Sequence, residues 1–282
     1  MTVPARAALA GAVLALAASP VHAGAWVQPR GRGYYKLESR VVRADTLYTR
    51  EGDRVAIPTV GEYTISLYAE YGLSGRVTGL AYVPGKRLTL NAVESRSSGS
   101  PLADGDSTGG LADLDVGIRL AIRKDRPTVV GAGLLLGLPT GDEERDSGLL
   151  TGDGEFNQAL SLQAGRSFYP RPLYVSGEAG FNHRTEGYSD ELRYLVEVGG
   201  TIRDRLTLSF RVRAVESLEN GDAPVGGSGL YANDQEYVAY GPELHWRWRG
   251  RFGVTATVEG ATAARNVLAA PAYALGVYWK DR

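Results

Sequence analysis

The chain has 282 residues, with 31 Lys and Arg against 32 Asp and Glu, so its formal net charge is −1. This near-neutral balance argues against nucleic acid as a partner, because nucleic-acid binding needs an excess of basic residues. The chain has no cysteine, which excludes both a disulfide framework and thiolate zinc sites.

The first predicted element is a secretory signal peptide over Met1–Ala23. Arg6 supplies its charged region, Ala7–Ala18 form a short apolar run, and Val21–Ala23 resemble a small-residue cleavage site. The apolar run is shorter than the roughly 20 residues that a membrane-spanning helix needs. We therefore expect an exported protein whose residues 24–282 form one domain.

The rest of the chain alternates apolar and polar residues with a period of two, which is typical of strands with one wet and one apolar face. In Leu206–Ala214, for example, the even positions are apolar and the odd positions are Thr, Ser, Arg and Arg. We predict twelve strands, over Tyr34–Val42, Tyr63–Leu73, Arg76–Val93, Leu111–Arg123, Thr128–Leu138, Phe156–Phe168, Leu173–His183, Leu192–Ile202, Leu206–Ala214, Val238–Trp248, Phe252–Val258 and Tyr273–Trp279.

Three features are irregular. Pro84-Gly85 interrupts the alternation in the third segment, which predicts a β-bulge or a bent strand there. Pro242 removes a backbone donor inside a strand, which predicts a β-bulge. The chain also continues for three residues beyond Trp279, whereas outer-membrane barrels typically stop at the terminal aromatic residue.

The connections between the strands alternate in length. Five are tight turns, at residues 74–76, 124–127, 169–172, 203–205 and 250–251, and six are long loops, at residues 45–62, 94–110, 141–155, 185–191, 217–235 and 263–271. This arrangement predicts an all-β fold: a transmembrane antiparallel up-and-down β-barrel of about twelve strands with both termini on one side. The tight turns would face the periplasm and the loops the outside.

Large aromatic residues collect next to the tight turns and the carboxyl end. They all share the outward phase of their strands, which predicts an aromatic girdle at one membrane interface. The residues are Tyr71, Phe168, Trp246, Trp248, Phe252 and Trp279.

Three segments, Leu67–Leu73, Leu138–Asp142 and Leu150–Phe156, carry a family resemblance. Through them the chain resembles a bacterial family of outer-membrane, transporter-like proteins that is labelled as the meta-cleavage pathway of phenol degradation. The similarity runs from about Gly33 to the end of the chain. The resemblance implies a barrel and the uptake of small organic molecules, and it carries over no functional residues.

The charged residues of the inward phase are the candidate functional site. They either line a hydrated, narrow pore, in which Arg193, Arg211 and Arg213 form a basic track, or make an ion-pair network that fills the barrel, since twelve strands fall between filled and open barrels. The predicted pore-lining residues are Lys36, Glu38, Arg40, Glu70, Asp113, Asp115, Arg119, Glu178, Arg193, Glu197, Arg211, Arg213, Glu243, His245, Arg247 and Glu259.

Two further features offer alternative chemistry. The acidic loop Gly141–Glu155 has carboxylates that could bind Ca²⁺, but its spacing does not match an EF-hand, and a solvated or constricting loop is favoured. His183 and Thr185 would share a face near the outer end of one strand, as a lipid-modifying enzyme could require. We expect neither a metal nor a cofactor.

The sequence therefore predicts a monomeric barrel in the bacterial outer membrane, in contact with membrane lipid and lipopolysaccharide. It would act as a passive channel for small organic solutes, without catalysis. Three alternatives remain open: a lipid-modifying barrel enzyme, a sealed structural or surface-binding barrel, and a soluble β-sandwich.

Overall fold

The computed structural model describes residues 24–94, 101–103, 105–143, 149–223 and 231–281, and the side chains of residues 93–94 and 101–103 are not described. The predicted signal peptide, Met1–Ala23, lies outside the described residues. In the part of the chain that is described, no helix is both long and apolar enough to cross a membrane.

The secondary structure consists of β-strands. In chain order they are β1 (Gly33–Tyr48), β2 (Arg54–Gly72), β3 (Val77–Leu90), β4 (Val93–Glu94), β5 (Pro101–Ala103), β6 (Asp106–Leu111), β7 (Leu114–Arg123), β8 (Thr128–Leu138), β9 (Asn157–Ser167), β10 (Leu173–His183), β11 (Glu191–Ile202), β12 (Leu206–Ser217), β13 (Glu236–Arg249), β14 (Phe252–Arg265), β15 (Val267–Leu268) and β16 (Ala272–Lys280).

The long strands form one closed antiparallel sheet. Each pairs with its neighbour in sequence, and β1 pairs with both β2 and β16, which closes the barrel. β6 and β7 together occupy one position in the barrel, because they pair with successive halves of β3. Twelve strand positions result, so the predicted all-β, twelve-stranded barrel is confirmed. β4 and β5 form a separate two-stranded sheet.

The barrel buries polar residues and exposes apolar ones. Outward side chains such as Leu162 and Leu275 are 64% and 68% exposed, whereas Glu62 and Arg119 are each 1% exposed. This is the reverse of a water-soluble protein, in which charged residues are rarely fully buried. The outer face suits a hydrocarbon environment, where a closed barrel leaves no unpaired strand edge.

The tight turns are confirmed, because each predicted turn lies between two adjacent strands. The first predicted loop is wrong, since β1 and β2 continue as a paired hairpin as far as Tyr48 and Arg54. Strands β6 and β15 likewise occupy parts of the second and sixth predicted loops and pair with β3 and β1. An apolar cluster that includes Val42, Leu88 and Leu268 fills the interior at this long-loop end.

The bulge predicted at Pro84-Gly85 is wrong. β3 pairs with β2 in a single register from Thr78 to Leu90. The extra residue lies in the partner instead, because the pairing with β3 shifts by one residue between β6 and β7. Leu88 therefore stays inward and is fully buried.

The bulge predicted at Pro242 is also wrong. The register of β13 against β12 and β14 is the same on both sides of this residue. In the described ladder to β14, no pair is formed at Gly241 or Pro242, so the missing donor breaks no bond there. The two strands approach so closely that a Cβ atom at Gly241 would overlap the carbonyl oxygen of Val258.

The residues after Trp279 help to close the barrel. Lys280 still pairs with Tyr34, and the backbone N–H of Asp281 donates to the carbonyl of Gly33 at 2.8 Å. The Asp281 carboxylate in turn accepts the N–H of Gly33 at 3.0 Å. The short extension beyond the aromatic residue is thus tied to the first strand.

Candidate functional site: the barrel interior

An upper cavity of about 160 Å³ lies inside the barrel towards the long-loop end. Side chains from strands all around the barrel line it, which identifies it as part of the lumen. The predicted residues that line this cavity are Lys36, Glu38, Arg40, Asp113, Asp115, Arg193, Arg211, Arg213, Glu243 and Glu259.

A vestibule of about 440 Å³ lies at the short-turn end. Of the predicted residues, Glu197, Arg211, His245 and Arg247 line it, together with inward tyrosines that include Tyr278. Arg211 borders both the upper cavity and the vestibule, so its side chain marks the boundary between them.

Two carboxylates hold Arg211 at this boundary. Its guanidinium donates to Glu197 at 3.0 Å and also contacts Glu243, which lies on the neighbouring strand. Glu243 further contacts the Nε2 atom of His245 at 2.8 Å, and the hydroxyl of Tyr174 donates to Glu197 at 2.6 Å. The constriction is therefore formed by polar side chains from several strands that contact one another.

The other predicted basic residues are paired as well. Arg193 contacts Glu191 at 2.7 Å, and Arg213 contacts Glu259. The basic track expected from the sequence, with its acidic partners, thus consists of arginine–carboxylate pairs. Lys36 contacts Glu38 at 2.6 Å in the same way. The attraction within each pair offsets much of the free-energy cost of burying its two charges. This compensation requires that both partners are present.

The remaining predicted residues lie between the cavities and the wall. Arg119 contacts Glu70 at 3.1 Å, and Glu178 accepts a hydrogen bond from the amide of Gln163 at 2.9 Å. A small apolar cavity of about 60 Å³ adjoins Arg119 and Glu178 and reaches outward-phase residues such as Leu134. These side chains fill the interior near β7–β10 rather than lining the upper cavity.

The sequence analysis missed an arginine cluster at the long-loop end. Arg184 donates to Glu155 at 2.6 Å and to Glu191 at 2.8 Å, and its side chain is 6% exposed. Asp153 lies 3.9 Å from the same guanidinium. Burial, together with the neighbouring Glu155 carboxylate, raises the pKa of Asp153 well above its usual value. These residues fall in predicted loops, where no periodicity indicates which side chains turn inward.

The described end of the last-but-one loop folds over the upper cavity. The hydroxyl of Tyr231 donates to the carbonyl of Thr151 at 2.6 Å, and Lys86 donates to that hydroxyl at 2.7 Å. Burial and nearby carboxylates raise the pKa of Tyr231, which keeps its hydroxyl protonated. Tyr231 therefore covers the cavity at the long-loop end.

The acidic loop Gly141–Glu155 is organised by Asp113. Its carboxylate accepts backbone N–H groups of Thr140, Gly141 and Asp153 at 2.9–3.1 Å. Residues 144–148 of this loop lie outside the described part. Among the residues that are described, no group of three metal-ligating side chains is found.

The segment that precedes β1 lies inside the barrel, which the sequence did not indicate. The backbone N–H of Gln28 donates to the Thr78 hydroxyl at 2.8 Å, and its side-chain amide donates to Glu70 at 2.6 Å. Arg119 donates to the carbonyl of Trp26 at 3.3 Å, and the Trp26 ring packs edge-on against Tyr174 at 6.0 Å. We call residues 24–32 the inner segment; it narrows the lumen at the short-turn end.

His183 and Thr185 do not form an evident catalytic pair. The Nδ1 atom of His183 contacts Asp190 at 2.8 Å, so an orienting carboxylate that the sequence did not show is present. The hydroxyl of Thr185, however, accepts the backbone N–H of Phe156 at 2.8 Å and so helps to fix the neighbouring loop.

A protein-family model described as "Putative MetA-pathway of phenol degradation" matches residues 46–275. A search of curated proteins gave no significant match. The family match covers most of the barrel, from the end of β1 into β16.

Among solved structures, the COG4313 outer membrane channel from Pseudomonas putida F1 is similar with a TM-score of 0.70 and 15% identity, covering 94% of this chain and 100% of that one. The NanC porin has a TM-score of 0.53 and 10% identity, covering 87% and 100%. The translocator domain of the autotransporter NalP from Neisseria meningitidis has a TM-score of 0.53 and 12% identity, covering 93% and 90%. At identities this low, the structural similarity shows a shared barrel fold, and proteins that share a fold can have different functions.

Proposed function

The chain belongs to the family described as the putative MetA-pathway of phenol degradation, and we propose that it is a passive outer-membrane channel for small organic solutes. One observation carries the proposal. A closed barrel with an apolar outer face contains a polar cavity and a polar vestibule that meet at a single side chain, Arg211. Polar cavities inside a barrel of this kind suit the passage of small solutes.

The proposed route runs from the long-loop end to the short-turn end. Tyr231 covers its entrance, the Arg211 constriction divides it, and the inner segment occupies one side of its lower half. The described part of the route therefore has no wide opening, which suits small solutes and slow passage. In this proposal the lumen is both a narrow pore and an ion-pair network, because the ion pairs form the wall of the pore.

The charge distribution of the pore wall favours solutes that carry no strong net charge. The arginines that border the upper cavity, such as Arg193, Arg211 and Arg213, are each paired with a carboxylate. A solute would meet neutralised pairs and tyrosine hydroxyls rather than a field of one sign. Selectivity would then come mainly from size and from hydrogen bonding along the wall.

The first test is single-channel recording from protein refolded into a planar bilayer. We expect small, discrete conductance steps, because the upper cavity and the vestibule meet at the narrow Arg211 constriction. Heat-modifiable gel migration of the same preparation verifies that the barrel is closed. A silent bilayer from folded protein would overturn the channel and favour a sealed barrel.

Other parts of the proposal have separate tests. We propose outer-membrane localisation with removal of residues 1–23, which fractionation and amino-terminal sequencing of the mature protein would check. A monomer is expected, and its mass in detergent can be measured by light scattering. The outer face would contact membrane lipid and the long-loop end lipopolysaccharide. Catalysis is not proposed.

A further inference from the structure

The short-turn end of the barrel carries a ring of cationic side chains. Among the described residues, fourteen Lys and Arg lie in its five turns, in the adjoining strand ends and in the segments before β1 and at the end of β16, against three carboxylates, Asp125, Asp204 and Asp281. We call these cations the basic rim: Arg30, Arg32, Arg76, Arg123, Lys124, Arg126, Arg166, Arg171, Arg203, Arg205, Arg247, Arg249, Arg251 and Lys280. All of them except Lys124 are exposed.

This excess does not reflect the composition of the whole chain, whose net charge is −1. The balancing carboxylates lie in the barrel interior and at the long-loop end. The exposed acidic residues at the long-loop end include Asp45, Glu51, Asp53, Asp142, Glu143, Glu186, Glu216, Glu219 and Asp222. The barrel is therefore electrically polarised along its axis.

The basic rim extends around the full circumference. Each of the five turns, from that at Arg76 to that at Arg251, contributes at least one cation, and Lys280 adds one at the closing strand. A protein partner would contact one sector of such a ring. A lipid leaflet surrounds the whole ring. Arg205, Arg247, Arg251 and Lys280 also border the vestibule, so the lipid contacts fall to the other members, which still occur all round the barrel. The distribution therefore favours lipid over a protein partner.

The basic rim also lies at the depth of the aromatic girdle. The Arg166 guanidinium lies 5.6 Å from the centre of the Phe168 ring, and Arg249, which pairs with the outward Phe252, directly follows Trp248. Aromatic girdles lie at the level of the lipid headgroups, and long basic side chains beside them extend into the same layer. The cations are thus placed where lipid phosphates lie.

Few of these charges are neutralised within the protein. In the described residues one ion pair joins members of this ring of turns, Arg251 with Asp281 at 3.4 Å. Arg76 and Lys124 donate instead to backbone carbonyls, of Ala121 at 3.3 Å and of Gly75 at 2.8 Å, which leaves their charges in place. Anionic headgroups would supply the missing countercharge.

We infer that the basic rim binds anionic phospholipids of the phosphatidylglycerol class in the leaflet that surrounds the short-turn end. The inference rests on the proposed membrane position of the barrel but not on conductance. Binding of this kind would fix the depth of the barrel and the positions of the turns that frame the vestibule.

Tryptophan quenching provides a local test, because Trp246, Trp248 and Trp279 all belong to the girdle at this end. A Trp26→Phe variant removes the remaining tryptophan of the chain. It is refolded into phosphatidylcholine vesicles that contain either brominated phosphatidylglycerol or brominated phosphatidylcholine at equal mole fractions. We expect an about fivefold preference for the anionic lipid at the girdle, and a loss of this preference at high salt.

Charge-neutral variants separate rim binding from general attraction. Substituting Arg171→Gln, Arg203→Gln and Arg249→Gln together, at exposed rim residues that do not line the vestibule, should reduce the preference towards one. The matched control, Arg43→Gln, Arg54→Gln and Arg265→Gln at the long-loop end, should retain it, and heat-modifiable migration verifies that all proteins are folded. Equal quenching by the two lipids in folded, conducting protein would overturn the inference without affecting the channel, and would assign the basic rim to a periplasmic polyanion. An equal loss in the control would also overturn it.

Discussion

Arg211 on β12 contacts Glu243 on β13 at the boundary between the upper cavity and the vestibule. The same guanidinium lies 3.0 Å from Glu197 on β11, so two carboxylates share one cation and the three ionised groups keep one negative charge. Three adjacent strands thus position one constriction, and its charge balance depends on a single residue.

Replacing Arg211 should change both selectivity and stability. In Arg211→Gln, Glu197 and Glu243 lose their shared cation, so the constriction becomes more acidic and its preference for cations should increase. Removing one partner of a buried ion pair costs about 3–5 kcal/mol, so the barrel should also unfold at a lower denaturant concentration. Reversal potentials in a salt gradient measure the first effect.

Arg211→Lys is the control and should retain most of the ion preference of the original protein. An unchanged reversal potential in Arg211→Gln would exclude this constriction from the ion path.

The inner segment should limit conductance. Deleting residues 25–31 removes the contacts of Gln28 with Glu70 and Thr78 and leaves the strands intact. We expect larger single-channel steps, because the lower half of the lumen is widened. Val27→Ala, which removes only two methyl groups, should leave the steps unchanged. Steps of equal size in the deletion variant would show that the narrowest point lies elsewhere, as at Arg211.

The strands could be predicted from the sequence because a strand in a barrel has two different environments on its two faces. β8 and β10 agree with their predicted bounds at both ends, Thr128–Leu138 and Leu173–His183. The same rule placed most inward charges, since phase alone decides the face. It could not assign partners, because Arg213 meets Glu259 through the closed barrel and not through proximity in sequence.

The missed residues lie where no periodic pattern exists. The sequence predicts a loop over residues 45–62, which includes Glu62, yet β2 continues there through its pairing with β1. Its carboxylate lies 3.1 Å from Arg40. The inner segment has no repeat at all, and its position depends on hydrogen bonds to residues such as Thr78 that are distant in sequence.

His183 separates the channel from the enzyme alternative. In His183→Ala the contact with Asp190 at the long-loop end is lost, but no residue of the proposed route changes. We expect unchanged conductance, and no release of fatty acid from phospholipid vesicles by either protein. Hydrolysis by the original protein that disappears in the variant would support a lipid-modifying enzyme.

Gly241 should be necessary for closure of the barrel. In Gly241→Val the side chain would overlap the carbonyl of Val258 and separate β13 from β14. Overpacking of this kind costs about 1–3 kcal/mol and sometimes more. We expect poor refolding, measured as loss of heat-modifiable migration. Gly177→Ala is the matched control, since its Cβ would lie 3.6 Å from the nearest atom, the carbonyl of Leu195, and refolding equal to that of this control would contradict the prediction.

Asp190 should make loop stability depend on pH. Its carboxylate contacts His183 at 2.8 Å and accepts hydrogen bonds from the Arg184 backbone at 3.1 Å and from Asn220 at 2.9 Å, joining two loops. Partial burial opposes ionisation, but these hydrogen bonds, that of Asn220 first, prevail and hold the pKa of Asp190 below its usual value of 3.8. A carboxylate with a lowered pKa contributes stability above its unfolded pKa and loses it as the pH falls through the folded one. The protection factors for hydrogen exchange in residues 184–190 should therefore be high and constant at neutral pH, and they should fall below about pH 4 as the loop opens. Asp190→Asn should open more readily at neutral pH and lose this dependence, whereas an unaltered acid response in the variant would assign the transition to another group.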